Sequence, residues 1–98
     1  PNKAENQLSV LHTSPLKLFE YMASKRPIIA SDLPSIREIL DESSATFVQP
    51  DSPENLAVGI INTLKADNTL KVENAFKIAQ ENTWEERARL IIESALNS

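Results

Sequence analysis

An α/β fold built on an incomplete parallel sheet is what this sequence predicts, and three observations predict it. Short apolar runs rich in β-branched residues alternate with amphipathic segments. Those runs, PIIAS at 27–31 and ATFVQ at 45–49, are nearly continuous in hydrophobicity, as strands covered on both faces are. Two strands alone make a poor sheet, so the pattern also predicts that further strands are supplied from upstream in a longer parent or from a partner.

The elements follow in order. Residues 1–14 read as a loop before the first helix, although Leu8, Val10 and His12 alternate with Gln7, Ser9 and Leu11 and leave a short strand at 7–12 equally open. Ser14-Pro15 is a helix start, with Ser as cap and Pro at the first helical position. The helix it opens spans about 15–25, with Leu16, Phe19, Met22 and Ala23 as an apolar stripe and Lys17, Glu20 and Ser24 as a polar one. Arg26-Pro27 ends it ahead of the strand at 27–31. Asp32 reads as a turn or cap residue. Ser35 and Glu38 have capping-box spacing for a helix at about 35–41, with Ile36, Ile39 and Leu40 as its apolar face. After the strand at 45–49, Ser52-Pro53 starts a helix at 53–65, whose predicted buried face is Leu56, Ala57, Ile60, Ile61 and Leu64. A helix at 69–81 carries Val72, Phe76 and Ala79. Thr83-Trp84-Glu85-Glu86 is a capping box ahead of a last helix at 83–97, in which Trp84 reads as a core anchor and Glu85–Arg89 as an exposed ion pair.

Composition narrows the function. The 98 residues suffice for one small domain, and 41% hydrophobic residues argue against disorder. The absence of cysteine removes disulfides and thiolate metal sites, and the single histidine, His12, leaves no multi-histidine site. No metal and no cofactor are expected. There is no signal-peptide core and no run able to span a bilayer, so a cytoplasmic location is expected, with the parent at the inner face of a membrane as a further option. Opening on Pro1 rather than Met reads as a fragment. A net charge of −4 argues against nucleic-acid binding. The charge is uneven: residues 1–40 carry five basic and four acidic side chains, residues 41–98 five and ten, so the first segment is the one able to receive an anion.

That segment also holds the chemistry. A helix amino terminus beside a parallel strand is where open α/β sheets bind ligands, and its unpaired amides attract phosphate. Pro15 has no N–H, so Leu16, Lys17 and Leu18 would donate; Lys17 adds a charge, and Glu20, one turn deeper, could accept two hydroxyls of a ribose. The spacing of Lys17 and Glu20, taken by itself, reads more readily as an exposed ion pair. His12 by itself reads as a surface residue.

The stretch SPLKLFEYMASKRPIIASDLPSIREIL resembles the group-one family of retaining glycosyltransferases with the glycosyltransferase-B fold, and FVQPDSPENLAVGI and the Trp84 helix are similar to that family's tail. The resemblance implies an incomplete Rossmann-like sheet, the C-terminal portion of a donor-binding domain. It implies that Ser14, Pro15, Leu16 and Lys17 hold the diphosphate of a nucleotide-diphosphate sugar and Glu20 its ribose. The chain departs from the family twice. Many members carry a glutamate eight positions before the one matching Glu20, and here that position is His12; either His12 or Thr13 takes over the donor-sugar contact, or the contact differs. Lys25 stands where a helix-ending glycine is common. The implied activity is transfer of a hexose or hexosamine, with retention, to a glycan or lipid-linked acceptor in polysaccharide or glycolipid synthesis. The acceptor domain would lie outside this chain, which is therefore expected to be inactive alone, with no residue here assigned as catalytic. Two other readings remain: a non-catalytic α/β interaction module that self-associates through its incomplete sheet, and a nucleotide-sugar epimerase of the same fold.

Overall fold

A computed structural model describes residues 8–11, 17–82 and 84–96. It is an α/β fold with a three-stranded parallel sheet, β1 (Ser9–Leu11), β2 (Ile28–Ser31) and β3 (Thr46–Val48), in the order β1-β2-β3. Of the alternatives left open at 7–12, the described residues Ser9–Leu11 form a strand. Val10 pairs with Ile29, and Ala30 with Phe47. The helices are α1 (Leu18–Ala23), α2 (Pro34–Arg37), α3 (Pro53–Lys65), α4 (Thr69–Glu81) and α5 (Trp84–Leu96).

Alternation along the strands divides the core. Leu11, Ile28 and Ala30 join Leu18, Phe19 and Met22 of α1, Ile36 of α2, and Ala75 and Ala79 of α4 in one cluster. Ile29 and Val48 point the other way, with Leu8, and meet Leu56 and Ile60 of α3. One sheet face therefore carries α1, α2, α4 and α5, and the other carries α3. Ala75 and Ala79 are small, which lets α4 lie close against α1.

The helix starts explain most boundaries. At α3, Ser52 is the cap, its hydroxyl accepting from the Asn55 amide at 3.2 Å, and Pro53 takes the first helical position, as the sequence predicts. At α4, Asp67 accepts from both the amide and the hydroxyl of Thr69, at 3.0 and 2.7 Å. At α2 the expectation fails. Pro34, whose fixed φ suits the first helical position, places the cap at Leu33, so Ser35 lies inside a helix that ends at Arg37 and no Ser35–Glu38 capping box forms. The Ser35 hydroxyl is buried without a hydrogen-bond partner.

The first helix is also shorter than expected at its carboxyl end. It stops at Ala23, and Lys25 itself adopts the left-handed conformation, with φ of 60°, where glycine would be unstrained. Ser24 eases the exit by donating its hydroxyl to the Tyr21 carbonyl at 2.6 Å, and the Lys25 ammonium rests 4.4 Å from the centre of the Phe76 ring. The Ser14-Pro15 start, Leu16, and the Thr83 capping position lie outside the described residues.

Three side-chain expectations are corrected. On α3 the buried residues are Gly59 and Thr63; Leu56 and Ile60 are half-buried, while Ala57, Ile61 and Leu64 of the predicted face are exposed. Gly59 turns the helix this way, because its missing side chain lets the backbone close onto β3: a Cβ there would stand 2.6 Å from Val48 Cγ1. Gly59→Ala gains up to about 1 kcal/mol of helix propensity but forces overpacking worth about 1–3 kcal/mol. A lower urea midpoint is expected, and a raised one would mean that Val48 gives way. Trp84 is no core anchor, being 82% exposed. It sits in the first turn of α5, where side chains lean past the helix end, and Arg87 takes the inward place. Arg89 pairs with Glu86 at 3.6 Å and Glu93 at 3.1 Å, which bracket it one turn either side, rather than with Glu85.

Arg37 ties the carboxyl end of β2 to the connection that leads into β3. It reaches Asp32 at 2.7 and 3.1 Å and Glu42 at 2.5 Å, and its guanidinium lies 3.8 Å from the centre of the Phe47 ring. Asp32, read as a turn residue, is thus half of an ion pair. The Arg37 hydrogen bonds hold both carboxyls below their usual range. Depressed folded-state values stabilise above the unfolded value of about 4, and that contribution is lost as pH falls through the folded one. The difference in melting temperature between the wild type and Arg37→Gln should therefore be larger at pH 7 and shrink at pH 3. A constant difference would show that Arg37 acts through packing on Phe47 alone.

Candidate functional site

Each strand ends at the same edge of the sheet and feeds a helix, β1 into α1, β2 into α2 and β3 into α3. That carboxyl edge is where ligands bind in open α/β sheets. Of the residues singled out there, Lys17 and Glu20 are described; His12, Thr13, Ser14, Pro15 and Leu16 lie outside the described residues.

Lys17 immediately precedes α1 and Glu20 lies in its first turn. Leu18, Phe19 and Met22 point into the core, so the helical period turns Lys17 and Glu20 outward together. Lys17 Nζ stands 3.8 Å from Glu20 Oε2, with the side chains 66% and 71% exposed. This is the surface ion pair that spacing alone predicts, long and solvated, and such pairs contribute little to stability. Both partners are accordingly available to a ligand. A cation and a carboxylate one turn apart can do two things: draw in a phosphate and accept hydroxyl hydrogens from a neighbouring diol.

The sheet edge holds a second feature, to which the sequence gives a signal only through strand ends. A cavity of about 410 Å³ opens between the ends of β2 and β3 and the start of α3, with Ile29 and Leu56 among its apolar lining and Ser31, Gln49 and Asp51 among its polar lining. Asp51 has φ of 59°, a left-handed conformation that is costly for a residue with a side chain. A larger recess of about 850 Å³, lined by Lys25, Pro27 and Phe76, lies by the amino end of β2 and so away from the ligand-binding edge.

Among the described residues no group of three His, Cys, Asp or Glu side chains is placed to hold a metal ion. No helix among them is long and apolar enough to cross a membrane.

The model of the family described as Glycosyl transferases group 1 matches residues 6–66, more than half of the chain, and that span contains β1 to β3 and α1 to α3. A search of curated proteins finds no match.

Proposed function

We infer the function from one premise: the chain belongs to the group 1 glycosyltransferases, so its chemistry is glycosyl transfer. On our reading it is the C-terminal part of a donor-binding domain, and the donor is a nucleotide-diphosphate sugar. The observation that carries this is the outward pair Lys17 and Glu20 on a helix that follows the carboxyl end of a parallel strand. Lys17 holds the diphosphate together with Ser14, Pro15 and Leu16. Glu20 accepts two ribose hydroxyls. His12 or Thr13 makes the donor-sugar contact. Developing charge on the leaving diphosphate is then met by oriented donors and a cation, with no metal required.

The reaction proposed is transfer of a hexose or hexosamine, with retention, onto a glycan or lipid-linked acceptor in polysaccharide or glycolipid synthesis on the cytoplasmic side. We place the acceptor site in a domain outside this chain, so the chain alone is expected to be inactive. The test is made on the enzyme that carries this chain: proton spectra of the product should show the anomeric configuration of the donor. Inversion would refute the retaining reading, and robust turnover by the 98-residue chain would refute the claim that it is only part of the machinery.

A self-associating module is the second reading, and one observation favours it. β1 is an edge strand among the described residues, and Ile61, Leu64, Ile92 and Leu96 are exposed. Sedimentation of the chain over a range of concentrations separates the two: a dimer that binds no nucleotide sugar supports the module.

A further inference from the structure

Between α1 and α5 runs a cleft of about 450 Å³, within the range of about 300–1,000 Å³ common for small-molecule sites. Phe19 and Ile91 form part of its apolar wall; Glu20 stands on one rim, and Trp84 and Arg87 on the other. Neither Trp84 nor Arg87 is used by the donor site.

Trp84 is 82% exposed, an unusual place for the largest apolar side chain in the sequence. Arg87 is held rather than solvated. Its Nη2 donates to the Ala79 carbonyl, and its guanidinium lies 5.6 Å from the Phe19 ring centre and 5.4 Å from that of Trp84. Its Nε is buried with no hydrogen-bond partner. Internal bonding alone therefore does not account for a guanidinium at this place.

We propose that the cleft is a second, non-catalytic carbohydrate site that takes pyranose rings of a neutral glycan. The open indole face matches the axial C–H face of a pyranose. The guanidinium, fixed in advance by its stacking and its bond to Ala79, offers its remaining donors to hydroxyl oxygens at little ordering cost. With donors on one rim and an acceptor on the other, the cleft matches a polyol, whose hydroxyls can donate to Glu20 and accept from Arg87.

Trp84 is the one tryptophan in the sequence, so its emission reports on the cleft directly. The 98-residue chain is titrated with neutral gluco-, manno- and galacto-oligosaccharides and, separately, with nucleotide-diphosphate sugars. A saturable change in emission with at least one neutral series is expected. Trp84→Ala, whose side chain leaves no core void, should weaken that binding about tenfold when followed through the amide signals of Ala88 and Ile91. Glu20→Ala distinguishes the two sites: it should remove nucleotide-sugar binding while the tryptophan response to glycan persists at lower affinity. No response to any neutral series overturns the proposal. So does a response to nucleotide sugars only, or an emission shift that follows protein concentration and not glycan, which would make the Trp84 face a contact between copies.

Discussion

Glu20→Ala is expected to lower the affinity of the enzyme that carries this chain for its nucleotide-diphosphate sugar about a hundredfold while leaving the fold intact. The two halves of that statement have separate physical grounds. The fold survives because the Glu20 side chain is 71% exposed and its one partner, Lys17, stands 3.8 Å away across solvent, so no packing and only a weak ion pair is removed. Binding falls because a carboxylate that accepts two hydroxyls makes charge-assisted bonds of about 1.5–3 kcal/mol each. A hundredfold, about 2.7 kcal/mol, asks for less than both together. Glu20→Gln retains one good acceptor and should lose less. Lys17→Ala should weaken nucleotide diphosphate more than nucleoside, because it addresses the phosphates alone. Calorimetric titration alongside circular dichroism reads all four outcomes. Unchanged affinity in a folded Glu20→Ala enzyme would leave the pair as a surface ion pair and move the donor site elsewhere, with the cavity at Ser31 and Asp51 as the next place to look.

How much of this could be read from the sequence depended on the range over which each feature is decided. Caps are local, so Ser52-Pro53 places the start of α3 correctly, and 53–65 and 69–81 match the structure. Strand identity at 28–31 and 46–48 was legible because a doubly covered strand is hydrophobic throughout. The same local reasoning failed where two start signals competed, at Pro34 and Ser35. A helical period shows that a stripe exists but not which flank of it meets the sheet. On α3 that was settled by the contact of Gly59 with Val48, and on α5 by Arg87 taking the inward place from Trp84. Lys17 and Glu20 were legible as an outward pair because they stand three positions apart at the start of one helix. The Trp84–Arg87 cleft was not, because it exists only when α5 packs beside α1, more than sixty positions earlier in the chain.

Ile29→Ala should be the most damaging single truncation outside the site, lowering stability by about 2–5 kcal/mol. Ile29 is fully buried in the middle strand, paired to Val10 on one side and Thr46 on the other. The face it serves is thin: Leu8, Ile29 and Val48 are its buried members, with Val10, Leu56 and Ile60 half-covered around them. The opposite face spreads its burial over residues from β1, β2 and three helices, so the loss of one side chain there is shared. Here α3 has little else to rest on, and the void cannot collapse by moving the helix inward because Gly59 already brings it against Val48. Domains of this length have total stabilities of about 5–15 kcal/mol, so the loss is a large fraction of the whole. Trp84→Ala, removing a bigger side chain from an 82% exposed position, should change stability by no more than about 0.5 kcal/mol. Urea unfolding of the two variants makes the comparison directly. A small effect at Ile29 would mean that α3 is held to the sheet through its caps rather than through this apolar contact, and the Ser52→Ala variant would then become the damaging one.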